Sequence, residues 1–447
     1  MTILNESGVP DVVSPLGGLA GLAQRLPDAL LVVAGTRADA YLAQSLSGPL
    51  PGSPVDRHYN GFSVHPRVIL VILEPDEEPD SGALASRVVE MASSEHPGVV
   101  LIITCRSARL LGVDGEFEAT LAERRLGGPP VRAIIPTHNT GGFGLLSTDL
   151  EDGAIRALIE LCPEGVFEEE RSSSKGGLLG RFQFRNRPRE RTSLPSPALR
   201  RSVVLLGALP GPQRELAAEL ARVGVEVDGI VPDTEANRLP AIGEGTVLAT
   251  ADPYLTRSFR AAEERGATVV RTLLPIGVDG TARFVQDVAA SVGQGTREAD
   301  RARQVWADLE PLRNRIRGKR VFFTGGTGLE VPLARFLANA GAVVLEVGTP
   351  RLEKHSLAIE LSALGEDVDV VESPEWRAQL KRIEATRPDV VVTSPGLYAP
   401  LVARGHLCRS SQDLSSLGVH GYEGARRTLE LFARTFERAE ELDTLNL

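Results

Sequence analysis

Short apolar runs rich in β-branched residues recur along this chain, and most are not interrupted by polar residues. Ala29–Ala34 reads ALLVVA, Arg67–Leu73 RVILVIL, Gly98–Thr104 GVVLIIT and Val131–Pro136 VRAIIP. A second set comprises Val203–Ala208 (VVLLGA), Val225–Val231, Gly245–Ala249 and Ala267–Arg271. A third comprises Lys319–Thr324 (KRVFFT), Ala342–Val347, Asp367–Val371 and Asp389–Thr393. A strand with one wet face alternates, whereas an uninterrupted one is buried on both faces, as in parallel sheets covered by helices. Amphipathic stretches such as Gln213–Arg222 and Glu330–Ala340 separate the runs. This strand–helix order predicts an α/β protein of three doubly wound, Rossmann-like parallel-sheet units.

Composition places the boundaries. Residues 171–201 hold nine basic residues and one acid, Glu190, among Gly, Ser and Pro, and read as a basic flexible linker. A charged helical stretch, Thr296–Ile316, ends at Gly318. The predicted organisation is an N-terminal α/β unit over 1–170, the linker, and a middle unit over 202–295. A connecting helix over 296–318, a third unit over 319–424 and a C-terminal helix over 425–447 complete it. A length of 447 residues accommodates several domains.

Charge and motifs exclude several classes. A formal charge of −10 argues against a global nucleic-acid footprint. No apolar stretch reaches membrane-spanning length, and the N-terminus lacks the basic and apolar regions of a secretory signal. The three cysteines, Cys105, Cys162 and Cys408, form no disulfide framework and no CxxC pair, so they read as reduced thiols of a cytoplasmic protein. Four thiolates for a cluster or a structural zinc are not available in this chain alone. No GxxxxGK[ST] loop occurs, and the seven histidines show no zinc-binding spacing. Gly325 and Gly326 follow the run KRVFFT and precede a helix, a turn that either cradles an anion or simply packs helix on strand. Cys105 follows GVVLIIT at the carboxyl edge of a parallel sheet, where ligands bind open α/β sheets, although a lone buried Cys also serves as apolar filler.

The stretches GKRVFFTGGTGLEVPLARFLANAGAVVLEVGTP (Gly318–Pro350), RPDVVVTSPGLYAPLVARG (Arg387–Gly405) and HGYEGARRTLELFAR (His420–Arg434) resemble the N subunit of dark-operative (light-independent) protochlorophyllide reductases. So do VVLLGAL (Val203–Leu209), LLPIGVDGT (Leu273–Thr281) and LLVVAGTRADAYLAQS (Leu30–Ser45). That family is related to nitrogenase component 1. The resemblance implies three α/β units around a central cleft. It also implies pairing with a B-like subunit in an N2B2-type heterotetramer, with a [4Fe–4S] cluster shared with the partner subunit. A separate L-type iron–sulfur reductase would use the ATP and supply electrons for reduction of the C17=C18 bond of a tetrapyrrole substrate.

In the family the N subunit supplies three Cys ligands and the B subunit an Asp. Cys105 occupies the place of the third Cys; Asp39 and Ser14 stand where the second and first fall. The resemblance thus implies Cys105, Asp39 and Ser14 as cofactor-binding positions, with Cys105 and Asp39 toward metal. Where the family carries a Lys followed by Trp, this chain has Arg409 and Ser410. Strand-end position adds Phe143, Gly325, Gly326 and Ser394 to Ser410 as substrate-binding candidates; for each, ordinary turn packing is the competing reading. Two functional readings remain: an N-type subunit of a tetrapyrrole reductase, or a cluster-less paralogue acting as a structural, regulatory or tetrapyrrole-binding subunit.

Overall fold

The computed structural model describes residues 2–8, 16, 19–46, 67–74, 81–135, 147–164, 201–207, 212–232, 235–326, 328–365 and 368–444. Fourteen strands among them form three sheets, all of whose pairings are parallel. They are β1 (Thr2–Asn5), β2 (Ala29–Gly35), β3 (Val68–Ile72), β4 (Val99–Thr104), β5 (Val131–Ile134), β6 (Ser202–Leu206) and β7 (Gly229–Val231). The rest are β8 (Thr246–Thr250), β9 (Thr268–Val269), β10 (Arg320–Phe323), β11 (Val343–Thr349), β12 (Asp369–Glu372), β13 (Val390–Thr393) and β14 (Cys408–Ser410).

The first sheet has the order β3-β2-β4-β5, the second β7-β6-β8-β9 and the third β1-β12-β11-β10-β13-β14. Each unit begins on an inner strand, steps outward on one side, then crosses to the other. That crossing creates a topological switch point between β2 and β4, between β6 and β8, and between β10 and β13, where the loops diverge and leave a crevice at the carboxyl edge. β2 and β4 are buried at every position, as their unbroken apolar runs require.

Two features depart from the sequence reading. Residues 2–5, read with the N-terminal unit, instead pair with β12, Ile3 opposite Val370, as the edge strand of the third sheet. The 296–318 connection is two helices, Glu298–Asp308 and Glu310–Ile316, meeting at Leu309. Pro311 lies in the first turn of the second, where its missing N–H costs nothing, whereas inside one long helix it would remove a hydrogen bond. Both helices, together with helix Gly421–Thr444, share the core of the third unit. Most of the 171–201 linker lies outside the described residues.

Polar side chains lock the carboxyl edges of the three sheets together. The Tyr254 hydroxyl, after β8, donates to the carbonyl oxygens of Gly328 (2.8 Å) and Arg351 (3.1 Å) in the third unit. Arg351 pairs with Asp149 of the first unit at 2.8 Å. Arg257 and Ser258 of the middle unit bind Asp152 at 3.1 and 2.7 Å. Deeper in, Arg335 and Glu360 form a wholly buried ion pair at 2.6 Å, and Glu360 also accepts the Leu274 N–H at 2.7 Å. Helix Gly277–Ser291 passes so near helix Glu330–Asn339 that a Cβ on Gly277 would fall 2.2 Å from the Phe336 ring.

Candidate functional site

The first switch point brings together the two described residues of the expected metal edge. Cys105 leaves β4 and caps helix Arg106–Leu110; Asp39 sits in the first turn of helix Arg37–Leu46 after β2. Asp39 is committed to its own fold. One oxygen, Oδ2, accepts the Thr36 N–H and the Thr36 hydroxyl, each at 2.8 Å, and also the Ser107 hydroxyl. Thr36-Arg37-Ala38-Asp39 is the spacing of a capping box, in which a carboxylate three residues into a helix reaches back to the exposed N–H of the cap. The negative charge also faces the positive end of the helix dipole. Gly35 is required for this fit, because a Cβ there would lie 2.8 Å from Asp39 Oδ2. The Thr-x-x-Asp spacing was visible in the sequence and is the signal that separates a cap from a ligand.

Cys105 packs into the apolar core with Leu31, Val33 and Ile103. Burial, and then the charge of Asp39, push its thiol up to about 12, so it is a neutral thiol at physiological pH. Among the described residues, no three His, Cys, Asp or Glu side chains come together as a metal-binding group. An iron–sulfur cluster needs thiolate-rich ligation. One neutral core thiol beside a carboxylate whose Oδ2 is taken up by the helix cap falls short of that thiolate-rich set. Ser14, the third expected position, lies outside the described residues, as does Phe143.

The third switch point is open. A cavity of about 430 Å³ is lined by Thr324, Gly325, Gly326, Trp376, Ser394 and Leu397, with prolines and Gln379 completing the wall. Gly325 (φ 104°) and Gly326 (φ 135°) adopt left-handed backbone that glycine alone takes without strain. A Cβ on Gly326 would meet Ser411 Oγ at 2.9 Å and Ser394 Cβ at 3.2 Å, so three strand ends converge at that point. Ser394 is the N-cap of helix Pro395–Val402, whose first turn borders the cavity and presents the positive end of its dipole there. Gly325, Gly326 and Ser394 are thus gathered at one site. Ser410 ends β14 one residue before Ser411 and is not among the lining residues of the cavity.

Sequence reasoning missed three groups. Asp252, half-buried after β8, is pushed up to about 7 by burial and by the charge of Glu151, against the Tyr254 N–H that it accepts at 2.8 Å. It is therefore a carboxyl that holds a proton to near neutral pH at the second switch point. His420 is buried against the Ala251 backbone, and burial depresses its imidazole to about 4. Trp376 stands half-exposed at the open cavity. No local pattern marks any of the three, because each is made by neighbours distant in sequence.

The model of the nitrogenase component 1 type oxidoreductase family matches residues 81–437. The light-independent protochlorophyllide reductase subunit N of Roseiflexus castenholzii is 32% identical over 448 residues, spanning 99% of this chain and 96% of that protein. The subunit of the same name from Heliobacterium modesticaldum is 32% identical over 450 residues, spanning 98% and 97%. Among solved structures, one described as nitrogenase Cp1 at pH 6.5 superposes with a TM-score of 0.67 over 96% of this chain and 92% of that one, at 14% identity. That likeness extends to the fold of three sheets. Among the described residues, no helix is long and apolar enough to cross a membrane.

Proposed function

The chain belongs to the nitrogenase component 1 type oxidoreductases, and from that premise we propose that it works as the N-type subunit of a light-independent protochlorophyllide reductase. The observation that carries this reading is near-end-to-end similarity to subunits of that name, joined to an open cavity at the third switch point. The cavity is the proposed site for the tetrapyrrole. Gly325 and Gly326 let the backbone approach a bulky ligand closely, and Ser394 with the first turn of its helix favours a carboxylate substituent. Ser410 and Phe143 are proposed as further substrate-binding residues.

Reduction of the C17=C18 bond adds two electrons and two protons. ATP use is proposed for a separate L-type reductase component, in keeping with a chain that carries no GxxxxGK[ST] loop. The proposed assembly is an N2B2-type heterotetramer with a B-like subunit. Nitrogenase-like proteins generally involve iron–sulfur clusters, but Cys105 and Asp39 do not fit the [4Fe–4S] ligand set that resemblance implies, and this chain's proposed part is to bind and orient the macrocycle. The seam of Tyr254, Arg351 and Asp149 holds the third unit's cavity in fixed register with the other two sheets.

The test is reconstitution of the full chain with B-type and L-type proteins, ATP and protochlorophyllide under anaerobic conditions. Formation of chlorophyllide is the expected result. An assembled complex that binds the L-type protein and yields no product, while an authentic N subunit yields it in parallel, overturns the proposal.

A further inference from the structure

Trp376 opens helix Trp376–Thr386, and its side chain is 50% exposed. It lines the 430 Å³ cavity and also a narrow arm of about 60 Å³ that shares Thr324, Gln379 and Leu397 with it. Leu380, Ile383 and Leu401 close the arm. The chain's other indole, Trp306, is already engaged: its Nε1–H donates to Asp279 at 3.0 Å and its ring packs on Phe336. An indole left half in water at the mouth of a cavity offers a large apolar surface to a ligand.

The helix start that carries the indole is held in place. The Glu375 carboxylate caps the helix, accepting the N–H groups of Arg377 (3.1 Å) and Ala378 (2.8 Å). The N–H of Glu375 donates to Glu6 Oε2 at 2.8 Å, just beyond β1. Arg382, one face further along the helix, binds Glu6 at 2.6 Å and Glu346 at 2.5 Å. Gly8 runs so close that a Cβ would lie 2.2 Å from the Pro374 carbonyl oxygen. The N-terminal strand therefore acts as a strap across the start of the helix that carries Trp376. The Arg377 guanidinium lies over the ring, 5.1 Å from its centroid.

We infer that Trp376 is the stacking platform of this cavity and positions a planar, conjugated carboxylate ligand by its ring face. The ligand's carboxylate then points to Ser394 and the helix start, and an alkyl substituent enters the narrow arm. The inference rests on reading the cavity as the tetrapyrrole site, and it assigns the ring contact to a residue outside the strand-end set.

Equilibrium dialysis of protochlorophyllide against the full chain with its B-type partner tests it, with Trp376→Ala, Trp376→Leu and Trp376→Phe beside the wild type. Stacking losses of the usual size correspond to roughly ten-fold weaker binding for Ala and Leu, with Phe retaining most of the affinity. Unfolding temperatures should stay within about 1 °C of wild type, because the side chain is half-exposed. Wild-type binding with Ala and Leu variants that bind equally well overturns the platform and leaves the proposed function standing. Equal weakening by Phe and Ala also overturns it, since a flat ring would then not matter. A wild type that takes up no protochlorophyllide overturns both.

Discussion

Replacing Asp39 by Ala separates a structural carboxylate from a metal ligand. The substitution deletes one oxygen that accepts two hydrogen bonds of 2.8 Å from Thr36 and one from Ser107. Loss of a helix cap costs about 0.5–2 kcal/mol. The two hydroxyls can turn toward water because the site is only half-buried, so they add little, and the Thr36 N–H dominates. The expected loss is about 1–2 kcal/mol, or a fall of roughly 2–8 °C in the unfolding temperature of the unit. Asp39→Asn keeps an acceptor oxygen but not the charge at the helix dipole, so it should lose less, about 0.3–1 kcal/mol. Scanning calorimetry of the full chain reads both. Asp39→Cys should destabilise like Ala and bind no more iron than wild type after anaerobic treatment with ferrous iron and sulfide. An unchanged melting profile for Asp39→Ala, or stoichiometric iron in the wild type that Asp39→Ala or Cys105→Ala abolishes, refutes the capping assignment.

Other consequences concern burial elsewhere. His420 has a folded-state value near 4 against 6.5 in the unfolded chain, so the unfolded state takes up the proton first. Its contribution to stability is full above pH about 6.5, falls as pH drops toward 4 and is flat below; the total is about 3 kcal/mol. Denaturant titrations from pH 7 to 4 should show this slope in wild type and lose it in His420→Leu; an identical slope in both would sink the assignment. Arg335→Met leaves Glu360 buried without its charge partner and should cost about 3–5 kcal/mol. Adding Glu360→Gln should recover much of that loss in the same denaturation assay, and no recovery would show the two residues to be energetically independent.

The fold was legible where burial on both faces erased alternation. β2, β4, β10 and β13 are such runs, and their order implied the doubly wound units. β1 was not legible: its four residues, TILN, are exposed, and it pairs with a strand more than three hundred residues away. β14, the tripeptide CRS, carries no strand signal either. At the site, Gly325, Gly326 and Ser394 could be read from strand-end position because the parallel topology alone sends them to one edge. Trp376 could not, because its place beside them depends on the strap from Glu6 and on the crossing between β12 and β13. Asp39 was legible locally, as a capping box, whereas the family resemblance pointed to metal; its hydrogen bonds are those of the cap.

Complementation shows whether this chain does the work of an N-type subunit. The chain replaces the native N subunit in a photosynthetic bacterium that lacks it, and pigment extracted from dark-grown cells is measured. The complemented strain should make chlorophyll-type pigment, less of it with Trp376→Ala and as much with Trp376→Phe. Accumulation of protochlorophyllide, with the chain present in the assembled complex, would contradict it.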